Sequence, residues 1–327
     1  MTAIRRPGKI NKNTTLIDYG MNGVAGFGGV YLIEAGKSCL IDTGTKKESK
    51  NILKFLRANN LSLPDYVIIT HSHYDHSQGV AVLRKAAREA NHEMEVMASE
   101  HAIPLLKDQS FNTVYYPKET FENTTNVTPL RDGEILDLDG ITLRMTHVLG
   151  HSKDQLIIFD EQNKNLFVGD ALGIKIVEDT YIPTIMPPFF DWGEFHKAAR
   201  KIGQMEYDTL CLAHFGAILG NEAKTLPEEA ISVSTDWWNV LESAMEKDKL
   251  DDIEYVVNRL LSDAGAKYVD IELVDPKLKY GLKFLNTTRR IRGKKPLLAA
   301  EIFTRDLIVP WIVNAYKIYK GDKSIFS

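Results

Sequence analysis

Short runs of β-branched and aliphatic residues, bounded by Gly, Asp or Asn, recur through the first two thirds of the chain, with helical spacing between some of them. Val30-Tyr31-Leu32-Ile33 and Ser38-Cys39-Leu40-Ile41 predict a hairpin around residues 34–37. Apolar positions Ile52, Leu53, Phe55 and Leu56 predict one face of a helix over 48–59, and Val80, Leu83 and Ala87 predict another that ends near Ala90. Further strands are expected at 67–70, 95–98, 141–148, 155–159, 166–169 and 210–213, with a polar stretch at 112–128. Strands alternating with helices predict an α/β domain. The pattern changes near Gly220. Thr225 with Glu228 resembles a capping box with Pro227 in the first turn, and Ile231, Ser234, Trp238, Leu241 and Met245 follow at helical spacing. Helices are also expected over 253–260, from Asp275-Pro276, and on both sides of Pro310. The chain is therefore divided into residues 1–222 and a helical extension, 223–327. That extension would cap a cleft or mediate a homodimer, and the stripe Val309, Trp311, Ile312, Ala315, Tyr316 and Tyr319 would bury in the same chain or in the dimer.

Composition narrows the classes. With 327 residues, 44% hydrophobic and 26% charged, the chain can bury a sizeable core, and its net charge of −4 gives no general attraction to nucleic acid. Cys39 and Cys211 lie in apolar runs and make no disulfide framework. The stretch up to Lys12 is basic but lacks an apolar signal core, and no run is long enough to span a bilayer. A cytoplasmic location away from membranes is expected. The one basic run, Arg289, Arg290, Arg292, Lys294 and Lys295, is expected to be a solvated helix end.

The candidate chemistry sits in His71-Ser72-His73-Tyr74-Asp75-His76, which directly follows an apolar strand. Imidazole nitrogens and carboxylate oxygens are the donors that borderline divalent ions prefer. In an extended segment His71 and His73 point to one side, so a single ion can use both, while Asp75 and His76 would swing in the following turn towards a second position. An exposed cluster of histidines is the alternative. Three more donors, His151, Asp170 and His214, also stand just past the ends of apolar strands, where α/β sheets usually hold their chemistry.

Taken in order, Thr70-His71-Ser72-His73-Tyr74-Asp75-His76, Gly150-His151-Ser152, Gly169-Asp170-Ala171 and Ala213-His214, with Leu40-Ile41-Asp42-Thr43-Gly44 upstream, resemble the motifs of the metallo-β-lactamase-fold hydrolases over roughly residues 16–220. The resemblance implies an αββα sandwich and two divalent metal ions, zinc first, with iron or manganese compatible. It implies His71, His73 and His151 on one ion and Asp75, His76 and His214 on the other. Asp170 would bridge them, and a metal-bridging hydroxide would work with Asp75. The helical extension is similar to those of glyoxalase II and the quinolone-signal response hydrolases, although glyoxalase II's cationic substrate-binding residues have no match here. Diiron oxidoreductases of the fold usually carry Glu at the place of His73.

The expected function is hydrolysis of a carboxylic ester, thioester or lactone of a small acyl compound. A phosphodiesterase or nuclease of the same fold and a metal-containing ligand sensor without turnover stand as alternatives. Among other residues, Asp42 would orient a ligand imidazole or simply serve a tight turn. His147, on the same strand face as His151, would support a ligand or touch substrate. The apolar, Pro-stiffened segment 181–190, with Tyr181, Phe189 and Phe190, would wall a substrate pocket or fill the core.

Overall fold

A computed structural model describes residues 3–177, 180–269 and 271–322. Two seven-stranded sheets lie face to face. One runs in spatial order Ala3–Ile4, Gly216–Leu219, Thr209–Leu212, Asn165–Gly169, Leu156–Asp160, Thr142–His147, Ile135–Asp137. The other runs Gly8–Lys9, Thr14–Asp18, Gly29–Glu34, Ser38–Ile41, Tyr66–Ile69, Glu95–Ser99, Thr128–Leu130.

Alternation along each strand divides the core in two. Tyr31, Ile33, Ile41 and Ile68 from one sheet meet Leu143, Met145, Ile158 and Phe167 from the other in a single buried cluster between the sheets. The opposite faces are covered by helices. Leu32, Leu40, Val67 and Val96 pack with Ile52, Leu56 and Leu83 of Ser49–Ala58 and Val80–Glu89. Leu166, Val168, Leu210 and Leu212 pack with Phe195, Ala198, Ala199 and Ile202 of Trp192–Gly203, and with the helix Gly220–Glu246. The architecture is thus the expected αββα sandwich with helices after residue 220, and both parts of the chain share the outer core.

Strand direction positions the site. Ser38–Ile41, Tyr66–Ile69, Glu95–Ser99 and Thr128–Leu130 pair in parallel, as do Asn165–Gly169 and Thr209–Leu212. Their C-terminal ends therefore share an edge, and Asp42, His71, Asp170 and His214 emerge there.

Several elements differ from the pattern-based reading. The strands Thr14–Asp18 and Gly216–Leu219 carry no clean alternation that would predict them, since both are nearly or wholly buried on both faces. The helix after the sandwich starts at Gly220, not at Thr225. Gly220 (φ 61°) turns the chain out of the preceding strand, so Thr225 lies inside the helix and donates its hydroxyl to the Glu222 carbonyl (3.2 Å), while Pro227 sits in the interior. Pro276 does open the helix Pro276–Ile291, with the Asp275 side chain accepting from the Lys277 amide (2.8 Å). The final segment runs Ala299–Ile302, a π-helical turn at Phe303–Ile308, and Val309–Tyr319 with Pro310 in its first turn. Val309, Trp311, Ile312, Ala315 and Tyr316 bury within this chain, whereas Tyr319 stays 40% exposed. Among the described residues no helix is long and apolar enough to cross a membrane.

Candidate metal centre

The strand Tyr66–Ile69 ends at Thr70, after which the chain bends at His71 and His73 (φ −59°, ψ 151°) and Tyr74–Ser77 forms one helical turn. That turn brings Asp75 and His76 round to the sheet edge. The Ser72 amide donates to Asp154 (2.8 Å) and the Tyr74 amide to Asn112 (3.1 Å), fixing the loop between the histidines. Two glycines place the donors of the opposite sheet. A Cβ on Gly150 (φ 124°) would lie 2.4 Å from the Phe195 backbone, and one on Gly169 (φ 51°) would lie 2.8 Å from the Thr70 hydroxyl. Glycine at 150 lets the chain before His151 pass against the helix Trp192–Gly203, and glycine at 169 lets the end of the Asp170 strand approach the first motif this closely.

All seven donors converge and are buried. His71 Nε2, His73 Nδ1 and His151 Nε2 form a triangle with edges of 2.9, 3.0 and 3.1 Å. His214 Nε2 lies 3.2 Å from Asp75 Oδ2, and His76 Nε2 lies 3.5 Å from the same oxygen. Asp170 spans the two groups: Oδ2 is 3.5 Å from His151 Nε2, while Oδ1 is 3.6 Å from His76 Nε2 and 3.5 Å from His214 Nε2.

The other ring nitrogens are held from behind. His76 Nδ1 donates to Asp42 (2.8 Å), His151 Nδ1 to the Thr184 carbonyl (3.0 Å) and His214 Nδ1 to the Phe27 carbonyl. Each such bond fixes the ring orientation that turns Nε2 inward. Asp42 adopts φ 64°, a left-handed conformation that Asp tolerates better than most residues, and also accepts from the Thr70 amide (2.8 Å) and hydroxyl.

This donor set fits divalent ions. Three imidazole lone pairs aimed at one point repel unless a cation lies among them, and His76 Nε2 and Asp170 Oδ1 are buried without a hydrogen bond. The electrostatics are split. Burial holds His71, His73 and His151 below the usual imidazole pKa, and neighbouring imidazoles lower His71 and His73 further. Burial also acts to lower His76 and His214, but carboxylates outweigh it: Asp42 and Asp75 hold His76 well above the usual value, and Asp170 and Asp75 lift His214 to about 10. Burial would raise Asp170, yet His214 and His76 hold it well below the carboxylate range.

The sign follows directly. The charged pairs of His76 and His214 contribute stability to the metal-free fold in full below the unfolded imidazole pKa, about 6.5, and lose it as pH rises through the folded values. Because the neighbouring carboxylates hold both rings towards the protonated form near neutral pH, uptake of zinc is expected to release about two protons. Titration calorimetry in buffers of different ionisation enthalpy reads that number, and uptake without proton release would contradict the assignment of these two rings as ligands.

Not every predicted residue joins the cluster. His147 stacks on His101 (4.4 Å), takes no metal-facing position and contacts the Lys153 carbonyl (3.1 Å), because its strand ends before the chain turns back at Gly150. Tyr181 packs against Gly173. Phe190 packs among Trp192, Phe195 and Trp238, and Phe189 lies against Phe111 under Lys153. From the Pro-stiffened segment it is Met186 that faces the donors. The remaining walls carry no local mark of a pocket: Met21, Phe27, Tyr115, Ile308 and Trp311, with Tyr74 from inside the motif. Tyr115 donates to the Pro187 carbonyl and its hydroxyl is 3.5 Å from His73 Nε2. The adjacent aromatics Tyr115-Tyr116 in an otherwise polar stretch are the one sequence signal available for it.

Comparison with known proteins agrees with this geometry. The sequence profile of the metallo-beta-lactamase superfamily matches residues 23–214, from the loop before the first central strands to the last histidine donor. This chain belongs to the metallo-beta-lactamase superfamily. It is 27% identical over 155 residues to the lactamase-like protein aptB of Emericella nidulans, covering 46% of this chain and 42% of that one. It is 30% identical over 155 residues to the atrochrysone carboxyl ACP thioesterase of Claviceps purpurea, with 46% and 42% covered. The chain thus spans less than half the length of these curated relatives. Among solved structures, a metallo-beta-lactamase family protein of Thermus thermophilus superposes with a TM-score of 0.57 at 19% identity, covering 72% of this chain and 83% of that one. An archaeal superfamily protein of Sulfolobus tokodaii gives 0.53 at 21% identity, with 68% and 85% covered. These superpositions establish the fold.

Proposed function

We propose that this member of the superfamily is a dinuclear metal-dependent hydrolase of carboxylic esters, thioesters or lactones, with acyl thioesters the favoured class. The carrying observation is the seven-donor set in which Asp170 presents one oxygen to each half. His71, His73 and His151 would hold one ion, Asp75, His76 and His214 the other, and Asp170 both. A structural site is normally closed by four donors, whereas this set leaves coordination open. When bound, a divalent pair acidifies water and stabilises negative charge on a carbonyl oxygen. Zinc suits the nitrogen and oxygen donors, with iron or manganese as alternatives.

The chain supplies the rest. Asp75 accepts the proton of the attacking water, the water oxygen adds to the acyl carbon, and the bond from that carbon to sulfur or oxygen breaks. The thiol or alcohol leaves with the proton that Asp75 took from the water, which restores the carboxylate, and the acid remains. The walls of Met21, Phe27, Met186, Ile308 and Trp311 exclude bulk water and favour an acyl group over a phosphodiester. The Claviceps relative is named for acyl carrier thioesterase activity, which supports the thioester preference.

Purified protein loaded with zinc is expected to hydrolyse acetyl and longer-chain N-acetylcysteamine thioesters, and to lose that turnover on chelation. His71→Ala is expected to lose most of the bound metal and to lower kcat/KM by at least about 100-fold. Full metal occupancy in this variant would refute the ligand assignment. Absence of chelator-sensitive turnover in a metal-replete sample, across thioesters, lactones and phosphodiesters, would favour a ligand sensor instead.

A further inference from the structure

The cavity at the donors has a volume of only about 30 Å³, room for a few water molecules at most, so a substrate whose carbonyl reaches Asp75 must keep its other atoms elsewhere. A second space of about 400 Å³, an apolar groove open to solvent along Leu278 and Leu285, lies next to it, within the size range of small-molecule sites. Val24, Leu273, Leu278, Leu282, Leu285 and Leu307 line it, with Asn22, Lys277 and Asp306 as its polar residues.

One thin wall separates the two spaces. The Phe303 ring lines the larger cavity and meets Phe27 edge-on at 4.7 Å; Phe27 lines the smaller one, 5.2 Å from the His214 ring. Neighbours along the chain face opposite sides. Met21 lines the donor cavity and Asn22 the larger one; Ile308 and Leu307 divide in the same way. The wall is built on the π-helical turn Phe303–Ile308, a geometry rare in helices and frequent where function demands an altered backbone. Thr304, within that turn, has a buried hydroxyl without a hydrogen bond.

The far side carries its own signature. Gly281 lies in the interior of the helix Pro276–Ile291, where glycine is less favourable than alanine, yet a Cβ there would meet nothing within 4 Å. Gly281 is exposed at the rim of the groove, so a larger side chain there would project into it.

We infer that this cavity is the acyl-chain subsite of the enzyme, that its ligand is a medium-length unbranched acyl chain, and that Phe303 is the gate between it and the donors. The inference rests on the thioesterase reading above. Apolar walls select the chain over the polar thiol half of the substrate. Displacement of the Phe303 ring lets the chain thread past Phe27 with its carbonyl left at Asp75.

The test is a series of N-acetylcysteamine thioesters from acetyl to dodecanoyl, with the zinc-loaded protein. In the parent, kcat/KM is expected to rise two- to fourfold per methylene beyond butanoyl until the cavity is filled, about fourfold being the full worth of one buried methylene. Gly281→Phe fills the cavity with a residue that helices accept better than glycine, so the fold is retained. It is expected to lower the decanoyl-to-acetyl ratio of kcat/KM by at least tenfold. Tyr280→Ala, one residue earlier with its side chain 72% exposed, is expected to leave that ratio in place. A ratio unchanged in Gly281→Phe, or lowered equally in Tyr280→Ala, overturns the subsite. If the parent hydrolyses no thioester, the thioesterase reading fails by itself, and calorimetric binding of decanoate then decides the cavity. Affinity at least tenfold weaker in Gly281→Phe than in the parent supports it, and equal affinity, or no binding to the parent, overturns it.

Discussion

Asp170→Asn is expected to lower kcat/KM by at least about 1000-fold, or about 4 kcal/mol of transition-state stabilisation, and to leave the protein with less metal than the parent. The substitution keeps shape and burial but changes charge and donor capacity at the one side chain that touches both halves of the site. In the parent, one carboxylate oxygen lies 3.5 Å from His151 Nε2 and the other 3.5 Å from His214 Nε2. An amide would turn either its oxygen or its NH2 group to one half, and an NH2 group cannot donate a lone pair to a cation. The two halves would then lose their shared anion, and the positive charge assembled by His76 and His214 would lose one of the carboxylates that holds it. Metal analysis and turnover on acetyl-N-acetylcysteamine read the two effects separately. A variant within tenfold of the parent in turnover, with full metal content, would show that Asp170 does not bridge.

Trp311→Ala is the second large expectation, and it acts on stability first. The indole is 8% exposed, meets Tyr115 and Tyr116 edge-on at 5.2 and 5.8 Å, and closes the donor cavity from the side of the extension. Truncating a buried Trp to Ala typically costs about 3–5 kcal/mol. At roughly 1.5 °C per kcal/mol for a chain of 327 residues, the melting temperature should fall by about 4–7 °C. Thermal unfolding followed by circular dichroism measures this, and a change under about 2 °C would show that the extension packs on the sandwich without Trp311. The same truncation widens the entrance to the donors, so the remaining folded protein should accept bulkier acyl groups than the parent.

How much of this is legible in the sequence follows from how far each feature reaches along the chain. His71, His73, Asp75 and His76 form one short motif, and His151, Asp170 and His214 each mark the end of an apolar run, so local pattern is enough to nominate them. Asp42 has two readings in the sequence because an Asp in a tight turn before Gly44 needs no partner; only the pairing of Ser38–Ile41 with Tyr66–Ile69 brings it to His76 and Thr70. The walls are not legible. Phe27, Tyr115 and Trp311 come from distant parts of the chain, and nothing in their immediate neighbours distinguishes a wall from core. The Pro-stiffened segment shows the same difficulty: it holds several large apolar side chains, and packing against Trp192, Phe195 and Trp238 takes Phe190 away while Met186 turns towards the donors. The helix start at Gly220 escapes pattern reading because a capping pattern is a local preference, and a glycine with positive φ directly after a strand overrides it.

The division of donors between the two sheets has a consequence for biogenesis. No metal centre of this kind can exist on a nascent chain until His214 has been made, because the last donor of the second half arrives with that residue. The indole of Trp311, which closes the cavity, comes roughly a hundred residues later. At about 5–20 residues per second, synthesis leaves an interval on the order of 5–20 s in which the donor set is complete but its cover is not yet made. Ions would have their easiest access during that interval, before the extension folds over them.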